Sequence, residues 1–176
     1  TAIPAGYELV DLGSRRVMPG MIDLHNHVGG SGGDINDMVL QLNAGLRVSP
    51  AVVPRNPNLQ ALVAAGITTV LFIPGSGTNM SGFGTLVKTA GDTVDEMVVR
   101  FPGSLKIAQA GNPERYSWGV GRALMNWNTR DTLNKGLTWA EDYAAGGAAF
   151  DPHWSQFVGL EDRTIPISVH TQIYQV

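Results

Sequence analysis

The sequence predicts an α/β fold built around a parallel sheet. Strand-like and helix-like patterns alternate along the 176 residues, which is typical of parallel strands joined by helical crossovers. Glycine clusters separate these patterns, and the chain has 22 glycines in all. The segment ITTVLFI (67–73) is apolar and β-branched without alternation, as expected of a strand buried on both faces. The length favours one domain, and the 43% apolar content is enough for a hydrophobic core.

Composition and charge exclude several classes of protein. Twelve basic and fifteen acidic side chains leave a net charge of −3 without long charged blocks, so there is no electrostatic case for binding nucleic acid or an anionic membrane. The absence of cysteine excludes disulfides and thiolate metal sites. No apolar run reaches the roughly 18 residues that a membrane span needs. We therefore expect a soluble protein, and the sequence leaves cytoplasm, periplasm and secretion open.

The first part of the chain predicts extended segments followed by a helix. Residues 7–20 predict two short extended pieces joined by a turn at Gly13, and MIDLHNHV (21–28) predicts a strand. Asp34 can cap a helix after it. The apolar face of that helix would consist of Ile35, Met38, Val39, Leu42 and Leu46.

Two further helices have clear boundary signals. The first begins at Pro57 and ends before Gly66, which matches the preference for proline at helix starts and glycine past helix ends. Thr93 and Glu96 form a capping box for a second helix over 94–101.

The last third predicts strand, long helix and strand. SLKIAQA (104–110) is the first strand, and a helix follows over 129–145, which Gly146 can end. The apolar side of that helix is Leu133, Leu137, Ala140 and Ala144. IPISVHTQI (165–173) is the final strand.

The strongest chemical signal is the pair His25 and His27. Alternation on the strand places both on one face with Asp23, with the two histidines roughly 6.6 Å apart. That spacing allows two imidazoles to bind one metal ion. The pair also stands at the C-terminal end of its strand, where parallel α/β folds bind ligands. On spacing alone, metal binding and a chance pair remain equally open, and Asp23 either orients His25 or fills a polar layer of the core.

The chain is expected to be part of a larger domain. Four strand–helix units are too few to close an eight-stranded barrel. The chain ends on an apolar strand with nothing after it, and TAIPAGYELV lacks an initiator methionine. We expect these residues alone to be inactive, and to be insoluble or molten because edge strands would lack their neighbours.

Four segments resemble a known superfamily. VMPGMIDLHNHV (17–28) resembles the first barrel strand of the amidohydrolase superfamily, whose pattern is Pro-Gly-x-Ile-Asp-x-His-x-His. The segment 59–88 is similar to the next unit of the imidazolonepropionase-related amidohydrolases. LKIAQAGNPER and IPISVHTQ resemble later strands of that group.

The resemblance implies part of a metal-dependent (β/α)8 TIM barrel beside a small β-sandwich. Residues 1–18 would be the end of the sandwich, and residues 19–176 the first half of the barrel. The implied partner is the rest of the barrel, on a missing C-terminal half or on a second chain, and a homo-oligomer remains open. The catalytic base of the superfamily, an Asp on a late strand, would lie beyond Val176.

The resemblance also implies metal ligands. His25 and His27 match the two ligands of the first strand, and His170 matches a third histidine. The superfamily bridges its metals with a carboxylated lysine or a glutamate, which makes Lys106 a further candidate ligand, with an ordinary strand lysine as the alternative. Gly111 stands where the related group usually has a glutamate, so a carboxylate ligand is expected to be missing there.

The alternation of the last strand agrees with this role for His170. It places His170 and Ser168 on the face opposite Ile167 and Val169. If the Ile/Val face packs on helices, His170 faces the barrel interior and can meet the pair on the first strand. A buried histidine bonded to a backbone carbonyl is the alternative.

This ligand set predicts metal-assisted hydrolysis. Neutral imidazoles with carboxyl oxygens suit Zn²⁺ best, as one or two ions, and Mn²⁺ and Fe²⁺ also fit. Metal-activated water would attack a C–N bond, amide or cyclic amide, of a small-molecule or peptide-like substrate.

Two other functions remain open. Ser31 lies in GGSGG (29–33), which satisfies the Gly-x-Ser-x-Gly nucleophile elbow of serine hydrolases, with His170 later in the chain as the triad order requires. A flexible Gly/Ser loop is the simpler interpretation. The alternative to any enzyme is a non-catalytic amidohydrolase-like scaffold, which Gly111 favours slightly.

The second glycine cluster, PGSGTNMSGFG (74–84), follows a buried strand and would lie at the same mouth. Ser76 and Asn79 are candidate substrate contacts, although a spacer role fits the segment equally well. His153 in DPHWSQF is expected to be an exposed loop residue.

Overall fold

The computed structural model of the protein describes residues 3–31, 33 and 35–172. In chain order the elements are β1 (Met21–Asn26), α1 (Pro57–Ala64), β2 (Ile67–Phe72), β3 (Met80–Phe83), β4 (Thr85–Lys88), α2 (Val94–Met97), β5 (Val98–Arg100), β6 (Leu105–Ala108), α3 (Asn112–Tyr116), α4 (Arg122–Ala144), α5 (Val158–Glu161) and β7 (Ile167–His170). Short 3-10 turns cover Ser49–Ala51 and Ser155–Phe157. None of the helices in these described ranges is long and apolar enough to cross a membrane.

The strands form two sheets. One has the order β1-β2-β4-β5 and the other the order β3-β6-β7. Only β1 with β2 and β6 with β7 pair in parallel, while β3, β4 and β5 each pair antiparallel to their neighbours. The predicted α/β class is therefore observed as a mixed α/β fold, and the expectation of a parallel sheet holds for two pairs only. The described residues do not close a barrel.

Two hydrophobic cores hold the sheets against the helices. Apolar side chains from β3 and β6 pack on α4 and on the turn before α5: Met80, Phe83, Leu105, Ile107, Ala140 and Phe157, with Ala44. Side chains from β2 and β4 pack on α1 and α2: Val70, Phe72, Val87, Leu59 and Met97, with Val48 and Val52. The backbone joins the two sheets where the amide of Gly84 donates to the carbonyl of Ser104 at 2.8 Å.

Most predicted elements are present. The strand over 21–28 is β1, and the strand over 67–73 is β2, whose last four residues are buried. The Asn56 side chain accepts from the amide of Asn58 at the start of α1, as expected of an N-cap. The strands over 104–110 and 165–173 are β6 and β7.

The helix predicted after Asp34 is wrong. Asp34 itself lies outside the described residues, and the segment from 35 to 48 is irregular. Its backbone runs along β3: the amide of Met80 donates to Gln41, and the amide of Phe83 donates to Leu46. These backbone groups form hydrogen bonds with the edge of β3, so they are not available for i to i−4 hydrogen bonds within a helix. The Asp37 side chain also accepts from the amide of Val39, a local turn that competes with helix.

The other two predicted helices differ in length. The Thr93–Glu96 capping box is confirmed, but α2 ends at Met97 and the residues from 98 to 100 form β5 on the edge of β4. Val98 and Val99 are β-branched, so an available strand edge outweighs a weak helix preference. The long helix α4 begins at Arg122, seven residues before the predicted start.

The N-terminal segment shows the predicted turn without strands. Gly13 has φ +59, and its amide donates to Asp11 Oδ1 at 2.7 Å. Residues 3–20 contain no strand and are exposed throughout. The two extended pieces predicted there are therefore not part of either sheet.

The contact between α4 and Phe157 gives a test of the core. A Cβ at Gly136 would lie 2.1 Å from Phe157 Cδ1, although alanine normally favours a helix over glycine by about 1 kcal/mol. Overpacking costs about 1–3 kcal/mol and the helix preference offsets about 1 kcal/mol of it, so Gly136→Ala is expected to lower the free energy of unfolding by up to about 2 kcal/mol. Urea unfolding measures this, with the exposed Asn134→Ala on the same helix as the control. A Gly136→Ala variant as stable as that control would contradict the packing.

Candidate metal centre

The two histidines of the first strand stand together at its C-terminal end. The rings of His25 and His27 are 5.1 Å apart between centroids and perpendicular to each other. His27 Nδ1 lies 3.0 Å from the carbonyl oxygen of Ile73, which directly follows β2. A carbonyl oxygen can only accept, so Nδ1 carries the proton and Nε2 keeps its lone pair. This arrangement orients a histidine for metal binding through Nε2.

Asp23 stabilises the backbone of this strand end. One oxygen of its carboxylate accepts from the amide of His25 at 3.0 Å, and the other accepts from Asn26 Nδ2 at 2.8 Å. Asp23 therefore positions His25 through the main chain.

His170 reaches the same site from the second sheet. It ends β7, which pairs in parallel with β6 and places His170 opposite Ala108. His170 Nε2 is buried and has no hydrogen-bond partner among the described residues. A buried nitrogen without a partner is costly, so a missing ligand is the simplest explanation of its position. Ile167 and Val169, on the other face of β7, are exposed rather than packed on helices.

Lys106, on β6, lies next to the histidines. Its side chain is fully buried, and Nζ lies 3.2 Å from His25 Nε2. Burial lowers the pKa of Lys106 to about 8. An amine with this pKa is more readily deprotonated than an ordinary lysine, which suits it to metal binding or to carboxylation.

The histidines are held in the neutral form. Desolvation is the largest cause that lowers the pKa of each of the three from 6.5, and the charge of Lys106 lowers all three further. The bond to Ile73 opposes this shift for His27. Metal ligands must be neutral imidazoles, so these shifts favour metal binding at neutral pH.

The three histidines line one cleft of about 410 Å³. The other lining residues are Ile35, Asn36, Gly75, Ser76, Gly77, Asn112 and Tyr116. Within residues 3–31, 33 and 35–172, no three or more His, Cys, Asp or Glu side chains are grouped as closely as a metal site requires. The cleft thus brings the predicted ligands together without closing them around one point.

Comparison with known proteins gives two similarities. The chain superposes on the crystal structure of an amidohydrolase from Thermotoga maritima MSB8 with a TM-score of 0.83 and 23% identity, over 97% of this chain and 49% of that one. The chain has the fold of an amidohydrolase. It is also 28% identical over 95 residues to the amidohydrolase tasK of Hapsidospora irregularis, which is 50% of this chain and 10% of that protein. No family model matches.

The Thermotoga structure shows the fold, and the similarity to tasK covers a tenth of that protein. Neither bears on the narrower imidazolonepropionase-related group. The chain spans about half the length of the Thermotoga amidohydrolase.

The other predicted site residues lie in three different places: the cleft lining, the core and the surface. Ser76 lines the cleft, where its hydroxyl accepts from Asn112 Nδ2 at 2.7 Å. Asn79 is fully buried outside this lining and donates to the carbonyl of Ala108 at 2.8 Å, which joins β3 to β6. Ser31 is exposed and is not among the described residues that line the cleft.

Two other residues singled out from the sequence are His153 and Gly111. His153 is exposed and contacts Trp154 edge to face, as expected of a loop histidine. Gly111 has φ +95, in the region that favours glycine, and its amide donates to Glu114 Oε2. A Cβ at this position would also lie close to the Gln172 side chain. Both the positive φ and this contact disfavour the glutamate that the resembling group usually has.

Three lining residues were missed from the sequence. Asn112 follows β6, so its place past a strand end could have been recognised. Asn36 lies in the segment wrongly predicted as helix, and Tyr116 has no local signal of a site.

Proposed function

We propose that this protein is a metal-dependent hydrolase of the amidohydrolase superfamily. Its reaction would be attack of metal-activated water on a C–N bond, amide or cyclic amide, of a small-molecule or peptide-like substrate. Residues 19–176 would contribute the first strands of a (β/α)8 barrel, and residues 1–18 the end of a small β-sandwich. The resemblance of segment 59–88 favours the imidazolonepropionase-related group within the superfamily.

The observation that carries the proposal is the meeting of three neutral histidines in one cleft, with the buried Lys106 amine against one of them. His25 and His27 come from β1, while Lys106 and His170 come from two strands of the other sheet. The partnerless Nε2 of His170 and the tautomer of His27 fit a divalent cation, most simply Zn²⁺. The proposal includes a small movement of these side chains as they close on the ion.

Each residue of the site would have its own role. His25, His27 and His170 would hold the metal, with Lys106 as a fourth ligand, either as the free amine or carboxylated. Bound there, Zn²⁺ would lower the pKa of a water molecule to near 7 and polarise the scissile carbonyl. Ser76, at the wall of the cleft, would contact the substrate, and Asp23 would keep His25 in place.

One observation favours a second candidate, a non-catalytic scaffold of the same fold. None of the described residues that line the cleft is an Asp or a Glu. The positive φ of Gly111 favours glycine over a residue with a side chain. A scaffold would bind less than one metal ion per chain and hydrolyse nothing.

Chelation tests the proposal directly. The purified protein, with the rest of the barrel present, is assayed against a panel of linear and cyclic amides before and after treatment with EDTA, and again after zinc is restored. We expect hydrolysis to be lost with the metal and to return with it, while Ser31→Ala and phenylmethylsulfonyl fluoride leave it unchanged. Hydrolysis that survives chelation, or that is lost with Ser31, would contradict the metal mechanism. No hydrolysis under any condition, with little bound metal, would favour the scaffold.

A further inference from the structure

The wall of the cleft carries neutral hydrogen-bonding groups. Asn36 Oδ1 accepts from the amide of Gly77 at 2.9 Å. Since a backbone amide can only donate, this bond fixes the orientation of the Asn36 side chain and leaves Nδ2 as a donor. Asn112 uses Nδ2 to donate to Ser76, which leaves its Oδ1 as an acceptor. Neither Asn36 Nδ2 nor Asn112 Oδ1 has a partner in the described part of the chain, so the wall offers one donor and one acceptor.

The same wall is packed closely from behind. A Cβ at Gly75 would lie 2.4 Å from Asn36 Oδ1, so the Asn36 amide rests directly against the Gly75 backbone. The amide of Gly75 also donates to the carbonyl of Ile35 at 2.7 Å. The donor group of Asn36 is therefore held in place before any substrate arrives.

No lining residue of the cleft among those described is an Asp, Glu, Lys or Arg. The wall around the histidines therefore consists of neutral groups, and an amide, which needs one donor and one acceptor, matches Asn36 and Asn112.

The rim of the cleft is aromatic. Tyr116 lines the cleft and is 62% exposed, and Trp118, two residues later, is completely exposed. Ser117 between them accepts from Gln41 Nε2 at 2.7 Å, which fixes this segment to the residues that run along β3. Exposed rings held beside a cleft are typical of surfaces that bind an apolar group.

We propose that the cleft selects amides that carry an aromatic or large apolar group. This rests on the proposed function and names its substrate class. Asn36 and Asn112 bond the amide, and the ring of Tyr116 packs on the apolar group and determines the preference, with Trp118 extending that surface.

The test uses a matched set of probes with the zinc-loaded protein. N-acetyl-phenylalaninamide and N-acetylglycinamide are compared by calorimetric Kd and by rate of hydrolysis. A ring–ring contact with its buried area corresponds to about a tenfold lower Kd for the phenylalanine probe than for the glycine probe. Tyr116→Ala is expected to abolish that difference, whereas Tyr116→Phe keeps it. Phe150→Ala removes an equally exposed ring outside the cleft lining and is the control.

The outcomes separate this inference from the proposed function. Equal Kd values for the phenylalanine and glycine probes, a preference that survives Tyr116→Ala, or no binding of either probe would overturn the inference. Zinc-dependent hydrolysis without the preference would leave the proposed function standing. A Tyr116-dependent preference in Kd without hydrolysis of any probe would support the inference and contradict the proposed function.

Discussion

Replacing His27 with alanine is expected to remove stoichiometric zinc and all metal-dependent hydrolysis while the fold survives. The ring makes one hydrogen bond, to the carbonyl of Ile73, and packs edge to face on His25, so its structural contribution is small. Loss of a direct ligand should weaken zinc binding by on the order of 100-fold or more, beyond the effect of losing a supporting residue. We expect the same result for His25→Ala. Metal content by mass spectrometry and secondary structure by circular dichroism measure the two parts of the prediction.

His153 provides the matched control. It is an exposed histidine outside the cleft lining, so His153→Ala should keep full metal content and full activity. If His25→Ala or His27→Ala retained as much zinc as His153→Ala, the pair would have only a packing role.

Replacing Lys106 with methionine is expected to have opposite effects on stability and on metal binding. The Lys106 side chain is fully buried, and the drop in its pKa from 10.5 to about 8 corresponds to about 3 kcal/mol of unfavourable burial of the charge. Methionine has a similar shape and no charge. Lys106→Met should therefore raise the free energy of unfolding of the metal-free protein at pH 7 by up to about 3 kcal/mol, and should weaken zinc binding if Lys106 is a ligand.

The sign of the pH dependence follows from the direction of this shift. Between about pH 8 and 10.5 the unfolded chain holds a proton on Lys106 that the folded chain has released, so the stability of the natural protein rises with pH across that window. The advantage of Lys106→Met should be constant below pH 8 and vanish by about pH 10.5.

Urea unfolding at a series of pH values, with EDTA present, measures this effect. The exposed Lys135, paired with Asp131 on α4, is the control, and Lys135→Met should change the free energy of unfolding by less than about 0.5 kcal/mol at every pH. A Lys106→Met variant that is less stable than the natural protein at all pH values would show that the amine is a satisfied structural group.

Local signals predicted the elements that local interactions form. The N-cap at Asn56 and the Thr93–Glu96 capping box are short-range hydrogen bonds, so their sequence signatures are present in the fold. The alternation of the first strand placed His25 and His27 together for the same reason, because strand geometry is fixed by the neighbouring residues.

The errors arose where distant strands supply the backbone partners. The segment after Asp34 has a helical apolar pattern, but its amides and carbonyls bond to Met80 and Phe83 some 40 residues away. Val98 and Val99 leave the predicted helix for the edge of β4 for a similar reason. Neither pairing could be derived from the segment itself, because the register of a strand edge depends on the whole sheet.

The sequence also predicted only a part of the candidate site. The resemblance suggested His170 and Lys106, and the structure places both beside His25 and His27. The neutral wall of Asn36 and Asn112 was not predicted, because it depends on a loop that follows no periodic pattern.

The position of the metal in a zinc-loaded crystal tests the central claim most directly. Diffraction data collected on both sides of the zinc absorption edge locate the ion without any assumption about ligands. We predict one strong anomalous peak in the cleft, with the nitrogens of His25, His27 and His170 each at roughly 2.0–2.1 Å from it. No peak in the cleft of fully loaded crystals, or a peak bound by His153 instead, would contradict the assignment of this cleft as a metal centre.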